Sequence, residues 1–183
     1  MGSLDGQRVL LGVTGGIAAY KSPDLVRRLK EAGAEVRVVM TPSATKLVST
    51  TVFQAVSGEP VRADLWDEAA EAAMGHIELA RWATVVLVAP ATAHLMSLLA
   101  GGSAGNLLTT LCLATTAPLV LAPAMNQAMW RHPATQANRA TLEGRGVRRG
   151  VVVGVVAVHE DVAAGLQLAV QPAGRLVLPG AGA

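Results

Sequence analysis

Cysteine is nearly missing from this chain: Cys112 is the only one in 183 residues. A single thiol excludes an intrachain disulfide framework and a zinc site built on cysteine. Aromatic residues are also scarce, at 3%, so Ala, Val and Leu must supply the core. Charged residues make up 15%, against about a quarter in typical soluble proteins. The formal net charge is only +2 and no basic stripe is present, which argues against nucleic-acid binding. Long hydrophobic runs are lacking too. The most apolar stretch, Thr84 to Ala100, is broken by Pro90, Thr92, His94 and Ser97. That falls short of the roughly 18 uninterrupted apolar residues of a membrane span. Met1 to Arg8 has no apolar segment of the secretory kind. The expectation is a cytoplasmic protein of one domain, with neither membrane nor nucleic acid as partner.

What is present is apolar bulk, 51% of the chain. A chain of this length can bury a substantial core, and the excess predicts large interfaces between copies. Arg8 to Val13 reads as a buried strand, Ile17 to Ala32 as a helix with Ser22 as a possible N-cap and Pro23 in its first turn, and Glu35 to Met40 as a second strand. This is a right-handed parallel crossover. Pro42 to Ser57 reads as mostly helical. Gly58 to Ala73 reads as irregular, with Trp66 as an apolar anchor. A short helix follows over His76 to Ala83. Strands are expected over Thr84 to Ala89, Ala117 to Ala122 and Val151 to Val158, and helices over Ala93 to Ala100, Asn106 to Thr115 and Ala134 to Glu143. Apolar strands without polar alternation, separated by helices, predict an α/β domain: an open parallel sheet covered on both faces. Residues 148–183 read as a flap or C-terminal arm of that domain.

Two strands end in the same tripeptide, Ala89-Pro90-Ala91 and Ala122-Pro123-Ala124. In an open parallel sheet, ligands sit beyond the carboxyl ends of the strands. The turn Gly12-Val13-Thr14-Gly15-Gly16-Ile17 also lies there, between a strand and a helix, so its N–H groups could face a phosphate or a ring. It departs from Gly-x-Gly-x-x-Gly. The second strand ends in Met40-Thr41 rather than in a ribose-reading carboxylate, which shifts the balance from NAD to a mononucleotide, with Thr41 and Ser43 as phosphate contacts. A tight turn that binds nothing is the other reading. His76 could be an acid/base near neutral pH, or a helix-start histidine bonded to backbone. Asn126 could grip a carboxylate or amide, or satisfy its own loop.

Taken together, Gly12 to Leu29, Gly75 to Trp82 (GHIELARW), Pro90 to Ala93 (PATA), Asn106 to Thr115 and Ala122 to Trp130 (APAMNQAMW) resemble the homo-oligomeric flavin-containing cysteine decarboxylases. That family has a phosphopantothenoylcysteine branch and a peptidyl-cysteine branch. The resemblance implies a Rossmann-like three-layer sandwich of flavoprotein type that binds FMN and assembles as a homotrimer or homododecamer. It implies a flavin cradled by Thr14, Gly15, Gly16 and Ile17, by Thr41 and Ser43, and by Pro90, Ala91, Thr92, Ala93 and His94. It implies His76 as catalytic residue, Asn126 as the holder of the substrate carboxylate, and Met125 and Met129 beside it. No metal is implied. The implied chemistry is two-electron oxidation of the substrate cysteine to a thioaldehyde, an electron sink for loss of CO₂.

Two departures stand out. The family's Asn-Thr after this tetrapeptide is here His94-Leu95. Relatives of the coenzyme A type carry a flap cysteine in an Ala-Cys-Gly-Asp segment, and the corresponding region here reads Val158-His159-Glu160-Asp161-Val162. That thiol is implied to protonate the enethiolate, so its absence predicts that the reaction stops at an oxidised enethiol. The sequence therefore places first an oxidative decarboxylation of the C-terminal cysteine of a ribosomally made precursor peptide to an aminoenethiol. Phosphopantothenoylcysteine decarboxylation of coenzyme A biosynthesis comes second, and a non-catalytic flavin-binding regulatory subunit third.

Overall fold

In the computed structural model, residues 4–67 and 74–149 are described. Five parallel strands form one sheet in the order β2-β1-β3-β4-β5. They are β1 (Arg8–Val13), β2 (Glu35–Met40), β3 (Val85–Ala91), β4 (Leu119–Pro123) and the two-residue β5 (Arg148–Arg149). β1 and β3 are apolar along almost their whole length because both sheet faces are covered. Strand periodicity sends alternate residues to opposite sides. Val9, Leu11, Val13, Val85 and Leu87 pack under α1 (Ser22–Glu31) and α3 (Thr50–Ser57), whose Leu25, Val26, Leu29 and Phe53 fill that layer. Leu10, Val86, Val88 and Leu121 pack on the other side. There they meet α4 (His76–Trp82), α5 (Ala93–Ala100), α6 (Leu107–Ala114) and α8 (Pro133–Gly144) through Leu79, Leu95, Leu99, Leu108, Leu111 and Leu142. This is the expected three-layer sandwich. Gly12 lets α6 close onto β1, since a Cβ there would lie 2.5 Å from a Leu108 methyl. At the sheet edge, the Arg37 guanidinium sits 4.5 Å from the centre of the Trp82 ring.

Several sequence expectations change in detail. The helix expected over Ile17 to Ala32 is a 3-10 turn, Ile17–Lys21, followed by α1. Ser22 opens α1 rather than capping it. The β3–β4 ladder shifts register between Val88 and Ala91. Of the two carbonyls in the shift, that of Ala89 accepts from Ser22 Oγ (2.9 Å) and that of Pro90 from Thr14 Oγ1 (2.6 Å). A buried carbonyl that has left the ladder needs another donor, and Ser22 is used for that. The helix expected over 42–57 is divided into α2 (Pro42–Thr45) and α3, because the Ser49 hydroxyl accepts from the Thr51 N–H and starts a new helix. A short α7 (Gln127–Arg131) precedes α8. Trp66 is not an anchor here: it is 83% exposed. Its segment is instead fastened by backbone bonds between Arg62 and both Val38 and Met40. Arg148 and Arg149 add a parallel strand beside β4. The strand expected over Val151 to Val158 and the remainder of the 148–183 arm lie outside the described residues. Among the described residues, no helix is long and apolar enough to cross a membrane.

Candidate functional site

From β1 the chain crosses to β2 on one side of the sheet, whereas β3, β4 and β5 build outward on the other. The reversal falls between β1 and β3, and ligands of open α/β sheets bind at the carboxyl ends of such strands. A cavity of about 840 Å³ opens there. The turn after β1 supplies Thr14, Gly15, Gly16, Ile17, Ala18, Tyr20 and Lys21. The end of β2 supplies Thr41, Pro42 and Ser43, and α5 with its cap supplies Thr92, Ala93, His94, Leu95 and Leu98. Asn106 comes from the start of α6. The segment after β4 adds Ala124, Met125, Asn126 and Met129.

Topology explains the character of the site. Every helical segment that directly follows a strand in this sheet begins at the strand's carboxyl end, which places the N-cap residues Gly16, Thr41, Thr92 and Asn126 on one cavity; Asn106, the N-cap of α6 after α5, lines it too. Thr41 Oγ1 accepts from the Ala44 N–H (3.3 Å), Thr92 Oγ1 from the Leu95 N–H (3.2 Å), and Asn106 Oδ1 from the Thr109 N–H (3.0 Å). The first N–H groups of each helical segment remain, and these together with the helix dipoles favour an anion. The side-chain charge agrees. Among the described residues of the lining, Lys21 is the only permanently charged one, and none is Asp or Glu.

The turn after β1 is built for close backbone approach. A Cβ on Gly15 would fall 2.4 Å from Ser43 Cβ, and one on Gly16 3.3 Å from Thr92 Cγ2 and 3.4 Å from Pro90 Cγ. Thr14 is buried and holds the turn down on β3 through Pro90. Such a cradle, wide enough for a ring system and positive at its rim, fits a phosphate-bearing flavin mononucleotide.

Asn126 has a divided role. Its Oδ1 accepts from the Ala128 N–H at 2.7 Å as the cap of α7. One lone pair of that oxygen is therefore in use, and the amide NH₂ is left as a donor on the cavity wall. That arrangement suits a carboxylate better than an amide.

The cavity thus brings together nine of the eleven residues expected around a flavin, along with Met125, Asn126 and Met129. Pro90 and Ala91 lie beneath, as buried β3 residues. His76 is the first residue of α4, half-buried, and is absent from the cavity lining. α4 packs beside α6, and His76 at its start lies outside the cavity of its own chain. Cys112 lies on α6, away from the cavity, and burial pushes its thiol up to about 12. Sequence reasoning did not single out Tyr20, Lys21, Leu98 and Asn106. Asn106 carried a signal, as a cap residue before an apolar run. The other three looked like ordinary helix residues.

The fold and the site define a class: a doubly wound α/β domain with an anion-binding cavity at its switch point. The family model described as Flavoprotein matches residues 2–169. This chain belongs to that family. It is 58% identical over 147 residues, 80% of its length, to the Coenzyme A biosynthesis bifunctional protein CoaBC of Vibrio vulnificus, and the matched part is 37% of that protein. The chain thus spans little more than a third of that relative. Among solved structures it is similar to the FMN-dependent cysteine decarboxylase SpaF (TM-score 0.74, 36% identity, 80% of this chain and 84% of that one). It is also similar to a cysteine-to-serine mutant of PPC decarboxylase complexed with pantothenoylaminoethenethiol (TM-score 0.65, 34% identity, 78% and 80%).

Proposed function

We propose that this chain is an FMN-dependent cysteine decarboxylase and that its substrate is phosphopantothenoylcysteine. The observation that carries the reaction class is the cavity at the switch point, free of carboxylates among the described residues, with the Asn126 amide donor on its wall. The choice of substrate is supported by the similarity to the CoaBC proteins, at 58% identity in Vibrio vulnificus. This reverses the order set from the sequence alone, in which a peptide came first. The peptide reading stays as the second one, favoured by the cysteine count. Cys112 is the only thiol of the chain, it does not line the cavity, and its raised pKa makes it a poor proton donor. A non-catalytic flavin-binding subunit is the third reading, disfavoured by the Asn126 geometry.

The residues divide the work. The Gly15-Gly16 turn, Thr41, Ser43 and the start of α5 hold the cofactor, with Pro90 and Ala91 as floor beneath it. Bound FMN supplies a two-electron acceptor for the substrate cysteine, which makes loss of CO₂ possible. Asn126 orients the substrate carboxylate through its NH₂ group, and Met125 and Met129 flank it. His76 moves a proton as acid/base. Because it stands outside its own cavity, we place it at the cavity of a neighbouring copy in a homo-oligomer, trimer or dodecamer. The compartment we propose is the cytoplasm, where thiol substrates stay reduced.

The test is mass spectrometry on two substrates. Loss of CO₂ from phosphopantothenoylcysteine, and no turnover of peptides ending in cysteine, is the expected outcome. Loss of CO₂ plus two hydrogens, seen only with peptides ending in cysteine, would overturn the substrate assignment in favour of the second reading. His76→Asn is expected to keep FMN and lose turnover by about 100-fold or more. Full activity in that variant would remove His76 from the mechanism.

A further inference from the structure

The 3-10 turn after β1, Ile17–Lys21, has three faces with three different environments, because residues i and i+3 stand above one another in such a turn. Ala19 and, three residues on, Ser22 are buried, and Ser22 Oγ donates to the Ala89 carbonyl at 2.9 Å. Ile17 and Tyr20 form a second face and are 79% and 64% exposed. Ala18 and Lys21 form the third, where both are half-buried and line the cavity. The buried face fixes the rotation of the turn. The register of the segment, rather than a flexible stem alone, therefore brings Lys21 to the cavity. Its Nζ lies 5.6 Å from the centre of the Tyr20 ring, another lining residue.

Asn126 stands elsewhere on the same cavity. The strands before these two residues, β1 and β4, have β3 between them, so they lie two strand spacings or about 10 Å apart. Lys21 also comes five residues after Gly16, a further rise of about 10 Å along the turn. One continuous cavity thus offers an amide donor suited to a carboxylate on one side and an ammonium on the other. A ligand that uses both has an anionic group at each end. The substrate proposed above has the cysteine carboxylate at one end and a phosphate monoester at the other. A peptide ending in cysteine is defined only by the first. The cofactor phosphate has donors of its own in the cradle, where Gly15 and Ser43 meet.

We infer that Lys21 binds the phosphate of the substrate and so selects phosphopantothenoylcysteine over cysteine compounds that lack it. This rests on the substrate reading above and adds the residue that enforces it. A lysine ammonium is a compact point charge with three donors, which suits a phosphate that can approach from several directions. It holds the end of the substrate farthest from the reacting cysteine. An interaction at that distance is made equally before and during the chemical step, so it acts on KM rather than on kcat.

The experiment is steady-state kinetics of the FMN-loaded full-length chain on phosphopantothenoylcysteine and on pantothenoylcysteine, which lacks only the phosphate. The wild type is expected to favour the phosphorylated form by about tenfold in kcat/KM, the scale of one hydrogen bond to a charged group. Lys21→Met keeps the stem and removes the charge. It should raise KM for the phosphorylated substrate by about tenfold, with kcat and FMN affinity held, and so abolish the preference. Lys21→Arg should restore it. A wild type indifferent to the phosphate overturns the inference without any variant, and so does a Lys21→Met variant with the wild-type preference. A Lys21→Met variant that keeps the preference but loses FMN affinity also overturns it, and assigns Lys21 to the cofactor phosphate instead. In all three cases the substrate reading survives. A wild type that turns over only peptides, or nothing, overturns that reading and the inference with it.

Discussion

The two Ala-Pro-Ala strand ends have the same composition and opposite fates. At the end of β3, Ala89 and Ala91 are buried, and the three successive carbonyls accept from Ser22, Thr14 and Ala124. The Ala89–Pro90 peptide bond is cis. This end is a floor, enclosed by the turn after β1 on one side and by β4 on the other. At the end of β4, Pro123 is buried but Ala124 is only half-buried, and Met125, Asn126 and Met129 reach into the cavity. This end is a wall. The difference comes from position in the sheet. β3 lies between two full-length strands, whereas β4 has only the two residues of β5 on its outer side. The same tripeptide is buried at the centre of the sheet and leaves side chains lining the cavity toward the edge.

Substitutions can break this comparison, and the largest effect is expected on the cofactor side. Gly15→Val places a side chain into Ser43, 3.1 Å from its backbone carbonyl carbon even at Cβ. FMN affinity should fall by about 100-fold, the scale of one or two lost hydrogen bonds to a charged group. Flavin retained at wild-type strength would refute the cradle. On the wall, Asn126→Asp keeps an oxygen to cap α7 but removes the NH₂ donor and sets a negative charge against the substrate carboxylate. It should cost about 100-fold in kcat/KM while FMN binding stays intact, and the two are separable by steady-state kinetics and flavin titration. Thr14→Val, back at the floor, orphans the buried Pro90 carbonyl. Chemical denaturation should show a loss of about 1–3 kcal/mol. The smallest effect is the stability of Asn126→Asp, which should stay within about 0.5 kcal/mol of wild type because the residue is exposed. If Thr14→Val left stability unchanged while Asn126→Asp lowered it, the assignment of floor and wall would be reversed.

Much of this was legible in the sequence, for reasons visible in particular residues. The buried strands announced themselves as unbroken apolar runs, since both faces of a parallel sheet are covered. The glycines after β1 and the two Ala-Pro-Ala ends marked the cavity edge because chain direction alone puts them there. Ser22 was misread because its partner, the Ala89 carbonyl, lies 67 residues away, and only the register shift in β3 frees that carbonyl. Trp66 was misread because hydrophobicity says that a side chain gains from burial, not that this chain buries it. Lys21 looked like any helix lysine, and it matters because the other described residues of the cavity lining carry no fixed charge.

The sequence by itself determined the layers, the strand–helix order and the end of the sheet where a ligand binds, because periodicity and chirality act locally along the chain. The tertiary structure decided which groups remain available in the cavity. A side chain's free donors depend on what has already claimed its other atoms. Asn126 keeps its amide NH₂ for the cavity because the Ala128 N–H at the start of α7 already takes its oxygen.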